Sequence, residues 1–307
     1  MFELTEYTKE KLKSSVMTTP LLVIFVITAM QLSKFALTRL DPETNIFVAV
    51  GVIQLAVLAM PCVIYYLLKG RKLSEPILIV PKNGPHILFI VFAALFFIFG
   101  MLLIKFFYFV SGGGVAAVVN YYDDFSSSAQ GATHLEIILS LIIIPAICEE
   151  FFFRGIVFNE YRKYGTVNAI IVSALCFSML HFSIENFFIY LFTGLLLGFV
   201  TSVTKSIIPS ILIHLLSNTL SIYASDAFLR VTVDKNGAYF IGFVLTVLAG
   251  GSFLLLMSRV ESICLAYSQK PPVEAIPPKS SEHWVKVFFS PSFILLVIFF
   301  VCFTLFG

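Results

Sequence analysis

Apolar positions run along this chain in long unbroken stretches, and short intervening segments hold most of the charge. The stretches lie near 20–40, 46–68, 86–110, 135–158, 167–184, 187–204, 206–225, 238–258 and 287–306. Each approaches the ~20 residues that cross a ~30 Å hydrocarbon core at 1.5 Å per residue. None alternates with period two, and backbone groups in lipid must pair within their own segment, so the stretches predict helices and not strands. The expected fold is all-α: a polytopic transmembrane helical bundle of about eight or nine spans. It divides into N-terminal spans and a loop at 1–134, a central group of helices at 135–225, an additional span at 226–267, and a linker with a final anchor span at 268–307. The first apolar run, from about Leu21 to Leu37, is followed by no small-residue cleavage site and reads as a retained span.

Composition narrows the class further. Hydrophobic residues make up 59% of the 307 and charged residues 12%, against about 25% charged in a soluble domain. With 34 Phe residues, no soluble interior of this size hides so much apolar surface, so much of it must face lipid. A net charge of +2 argues against a nucleic-acid partner. The five cysteines lie scattered and form no CxxC, which suggests neither a disulfide framework nor a thiolate metal site.

Charge also orients the spans. Fourteen of the 20 lysines and arginines fall on the side of the N-terminus, among them Lys9, Lys69, Arg71, Lys163, Lys205 and Arg259, whereas Arg39, Arg230 and Lys235 fall on the other. Positive residues favour the cytoplasmic side, so the N-terminus is expected there and the protein in the cell membrane. The Gly- and Ser-rich stretch 111–134 lacks basic residues and reads as an external loop. The Pro-rich stretch 268–283 reads as a linker before the last span.

Ionisable residues inside apolar helices are the informative ones, because each costs a few kcal/mol or more at the membrane centre. The run IIIPAICEEFFFRGIVF carries Glu149, Glu150 and Arg154. Glu150 and Arg154 stand four apart on one face and can pair, whereas Glu149 lies about 100° round the helix without a local partner. An unpaired carboxylate suits a general base. Pro145 is expected to loosen the same helix by freeing the carbonyl of Leu141. The next helix ends on His181, with Phe177 one turn earlier on the same face. The helix after Ser206 carries His214 and Asn218, again four apart, which could equally serve as hydrogen-bonding glue between helices. Counting inward from Phe158 and Lys205, Glu149 and His214 lie ~14 Å deep and Asn218 ~20 Å, so the three can share a layer. His181 lies nominally ~27 Å from Lys163, toward the opposite surface.

In order and spacing, EEFFFRG, FSMLH and HLLSN fit the motifs EExxxR, FxxxH and HxxxN. Together, over roughly 135–225, they resemble the CAAX prenyl protease and bacteriocin-processing family, the type II CAAX or glutamate intramembrane proteases. The resemblance implies an endopeptidase in which Glu149 and His181 activate a water, and His214 and Asn218 hold the oxyanion, while Glu150 and Arg154 support them. It implies a peptide or protein substrate, prenylated or not, met in the lipid bilayer, and no cofactor. Zinc on Glu149, His181 and His214 is a lesser alternative, since HExxH is absent. A non-enzymatic scaffold or a proton-coupled transporter would also use buried Glu, His and Arg, but no inverted halves are visible.

Overall fold

The computed structural model describes residues 6–37, 39, 45–68, 84–111, 133–223, 235–269 and 284–306. The expected external loop and Pro-rich linker lie almost wholly outside the described residues, and the described segments contain helices and no strand. In chain order these are α1 (Glu6–Leu37), α2 (Ile46–Leu68), α3 (Gly84–Val110), α4 (134–162), α5 (Thr166–Leu180), α6 (Phe187–Thr204), α7 (Ile208–Tyr223), α8 (Lys235–Gln269), α9 (Trp284–Phe288) and α10 (Pro291–Phe306). The fold is the all-α membrane bundle expected.

Span by span the helices differ from the apolar runs. Five described helices are long and apolar enough to cross a membrane, in α1, α2, α3, α6 and α8. Helices α5, α7 and α10 are apolar but shorter, with 15, 16 and 16 residues, which gives each only ~22–24 Å of length. Helix α8 runs to 35 residues, well past the apolar stretch 238–258, because a helix is not obliged to stop where the hydrocarbon does.

Two prolines shape the helices around the site. In α2 the backbone widens into π-type turns over Leu55–Ala59, where the Met60 N–H reaches the Leu55 carbonyl, just before Pro61. In α4 the same happens over Ile138–Ile143, where the Ile144 N–H reaches the Leu139 carbonyl, just before Pro145. Proline has no N–H to give and its ring crowds the carbonyl four residues back, so a wider preceding turn relieves both conflicts. A second wide stretch in α4 covers Phe151–Phe158 and includes Arg154.

The helix starts are secured by side chains. Asn45 caps α2 at the Phe47 and Val48 amides, and Thr133 and Glu136 form a reciprocal box at the start of α4. The Asn45 amide also donates to Glu136 at 2.9 Å, which ties the two starts together. Between α4 and α5 the chain reverses at Gly165, whose φ of 112° favours a residue without Cβ.

Two apolar cores result. One joins α1, α2, α4, α5, α9 and α10 around Phe152, Phe153, Phe177 and Phe300. The other joins α3, α6, α7 and α8 around Phe97, Leu197, Ile213 and Leu256. The charged residues of α4 meet α6 and α7 on the seam between them. In lipid such packing comes from close van der Waals fit and interhelical hydrogen bonds, because burial from water contributes little there.

Candidate active site

Glu149, Glu150 and Arg154 are all buried on α4, with Glu150 and Arg154 at 0% exposure. The expected i,i+4 pair forms: Arg154 Nη1 donates to Glu150 Oε1 at 2.6 Å. Arg154 Nη2 donates to the carbonyl of Gly194 on α6 at 3.1 Å, and the guanidinium lies 5.0 Å from the Phe177 ring centroid. One guanidinium therefore bonds α4 to α6 and stacks toward α5. A charge so buried is tolerated because a carboxylate, a carbonyl dipole and an aromatic face replace water around it.

His214 joins this group from α7. Its Nδ1 lies 2.9 Å from Glu150 Oε1, the oxygen that also accepts from Arg154. A carboxylate oxygen accepts, so Nδ1 carries the proton and Nε2 faces the other way. Nε2 lies 3.8 Å from Glu149 Oε2, a buried oxygen with no hydrogen-bond partner among the described residues. The carboxylate that looked unpartnered within its own helix thus meets an imidazole from another. The Phe177 ring stands edge-on to His214 at 5.6 Å and closes this side.

Asn218 lies one turn beyond His214. Its amide donates to the Ile142 carbonyl at 3.4 Å, inside the wide turn that precedes Pro145. The carbonyl that Asn218 uses is Ile142 and not the Leu141 carbonyl expected to be freed by Pro145.

His181 stands at the other end of α5, immediately after its last residue. Its Nδ1 faces the Phe177 carbonyl at 3.0 Å, so this nitrogen carries the proton and Nε2 is the basic one in the neutral ring. Tyr190 of α6 stacks on the imidazole at 3.7 Å with a 17° tilt. The chain then turns through Phe182 at φ 46°, a left-handed conformation that costs a residue with Cβ about 1–2 kcal/mol. The Phe177 ring lies 5.0 Å from His181 as well as against His214 and Arg154, so it is the wall shared by all three. Four sequence-predicted residues, Glu149, Glu150, Arg154 and His214, meet directly. His181 joins them through Phe177, and Asn218 through its turn of α7.

The segment from the start of α4 to near the end of α7 is therefore one constellation built from three motifs. Residues 131–220 match the family model described as Type II CAAX prenyl endopeptidase Rce1-like. This is the family the motifs resemble, over nearly the same residues. No curated protein and no solved structure matches the chain significantly. Residues 131–220 are thus similar to a CAAX-protease-type endopeptidase domain, in a chain with five described helices long and apolar enough to cross a membrane.

Three residues of the Rce1-like domain were not singled out from the sequence as parts of the site. Gly194 permits α5 and α6 to touch: a Cβ there would stand 2.8 Å from the Ala174 backbone. That proximity is what brings its carbonyl to Arg154. Its spacing from Gly198 on one helix face was the available signal. Tyr190 lacked a signal, since stacking across two helices leaves no local pattern. Phe177 was visible as the first residue of the FxxxH motif, one turn before His181, but not as a wall of the site. Among the described residues no three His, Cys, Asp or Glu side chains gather in a way that could hold a metal ion.

Proposed function

We propose that this protein is a metal-independent glutamic intramembrane endopeptidase of the cell membrane, with Glu149 as its general base. The observation that carries the reading is Glu149 Oε2: buried, without a hydrogen-bond partner among the described residues, and 3.8 Å from His214 Nε2. A water held on Glu149 Oε2 stands beside the imidazole, which leaves Nε2 for the substrate oxygen. Glu149 takes a proton from this water as its oxygen adds to the substrate carbonyl. It then passes the proton to the leaving amine as the C–N bond breaks. His181 helps to orient the water through Nε2, its ring fixed by the Phe177 carbonyl and Tyr190.

The oxyanion needs donors. Asn218 supplies its amide, which now rests on a long bond to Ile142. His214 donates from Nε2 when that nitrogen carries a proton, and the flanking carboxylates supply the counter-charge an imidazolium needs. Glu150 and Arg154 hold the His214 ring and bond α4 to α6. A substrate presented from the lipid phase, a prenylated C-terminus or a membrane-bound peptide, suits a centre placed among helices.

The test is cleavage of a prenylated CAAX peptide and an unprenylated control by the purified chain in detergent. Glu149→Gln keeps the shape but removes the base, and turnover should fall to background with the fold retained. Wild-type turnover by that variant would refute the assignment. Activity should also persist in EDTA or phenanthroline, and loss restored by zinc would put the metal scheme first.

A further inference from the structure

We infer that the C-terminal helix α10, outside the family-matched residues, is part of the working site: Phe300 and Phe303 position His181 by clamping the turn that follows it. The inference rests on the reading of His181 as the water-orienting residue. Phe182 sits in left-handed backbone immediately after His181. A phenylalanine keeps such a conformation only where its surroundings hold it. Besides the bond of the Phe182 amide to the Met179 carbonyl, those surroundings are supplied by α10. The Phe182 ring lies 5.7 Å from Phe300 and 5.8 Å from Phe303, at tilts of 39° and 62°. Phe187, the first residue of α6, lies 5.9 Å from Phe300. One phenylalanine of α10 thus contacts both ends of the turn joining α5 to α6.

The clamp is anchored. Helix α10 packs along α1, and the Ser292 hydroxyl donates to the Val16 carbonyl at 3.0 Å. Val287, Phe293, Leu296 and Phe300 belong to the same apolar core as Phe152, Phe153 and Phe177. His181 is fixed on its other sides by the Phe177 carbonyl and by Tyr190 of α6. Loss of the clamp would let the turn relax toward ordinary backbone and carry the imidazole with it. A displacement of about 1 Å at a reacting group can cost ~100-fold in rate.

The test uses the full chain in detergent. Replacing both residues by leucine keeps apolar bulk, and turnover should stay within about threefold of wild type. Phe300→Ala with Phe303→Ala should lower kcat by ~10- to 100-fold with KM changed less than about threefold. Phe182→Gly should cost about as much alone and add little in the alanine background, because both remove the packing of Phe182 on α10. The rate of His181 carbethoxylation by diethyl pyrocarbonate, read by mass spectrometry, should rise several-fold in the alanine variant. Phe303→Ala alone serves if the double variant does not fold, with the same changes in smaller measure. Wild-type kcat and an unchanged modification rate in a folded alanine variant would overturn the clamp, as would strictly additive effects of the two sites. Wild-type turnover by His181→Ala would instead refute the underlying role of His181, while the modification rate would still report the clamp.

Discussion

Glu149 and Glu150 are neighbours in the chain and sit in contrasting surroundings. Glu150 Oε1 accepts from Arg154 and from His214, whereas Glu149 Oε2, like Glu150 Oε2, accepts from no described residue. Their substitutions should therefore fail in different ways. Arg154→Ala leaves Glu150 buried without its counter-charge, and breaking one side of a buried pair costs roughly 3–5 kcal/mol. A lowered melting temperature in detergent and poor yield are expected for Arg154→Ala, and neither for Glu149→Gln. A stable but inactive Arg154→Ala would place the arginine in the chemistry. Asn218→Ala removes one proposed oxyanion donor and should lower turnover by about 10²–10³, with little change in melting temperature because its hydrogen bond among the described residues is the long one to Ile142. Tyr190 is tested by contrast: Tyr190→Phe keeps the ring on His181 and should keep turnover, while Tyr190→Leu should lower kcat more than it changes KM.

At the scale of elements, α4 is an irregular helix whose irregularities are used. The wide turn before Pro145 presents the Ile142 carbonyl to Asn218, and the wide stretch from Phe151 carries Arg154 toward α6. The α5–α6 pair is the tightest approach at the site, and Gly194 makes it possible. Gly194→Ala forces a Cβ to within 2.8 Å of the Ala174 backbone. Backbone does not yield as a flexible side chain would, so the helices must separate, at a cost of about 1–3 kcal/mol for overpacking. The carbonyl that Arg154 uses would retreat with them. Gly194→Ala should thus lower both melting temperature and turnover, and a variant with wild-type values of both would show that the contact yields freely.

At the scale of the molecule, the described residues form two apolar cores joined along a charged seam, with α1 and α10 packed together. Its orientation follows from charge. The excess of basic residues on the N-terminal side predicts a cytoplasmic N-terminus and an external 111–134 loop. A cysteine introduced at Ser127 should react with a membrane-impermeant thiol reagent in intact cells. Labelling only after lysis would invert the topology.

The all-α membrane class was determined by the sequence alone, because only helices satisfy backbone groups across runs such as 86–110. The Glu150–Arg154 pair was legible too, since i,i+4 residues meet on any helix, and so were the three motifs that the family match later covered. What lay beyond local reach was decided by the tertiary structure. That His214 turns Nδ1 to Glu150 and Nε2 toward Glu149 depends on where α7 crosses α4, which no spacing within either helix encodes. The placing of Tyr190 on His181 and of Phe300 on Phe182 depends in the same way on packing between helices distant in sequence. Periodicity records which face of a helix is polar, whereas the identity of the group across from it is set by the packing of the whole bundle.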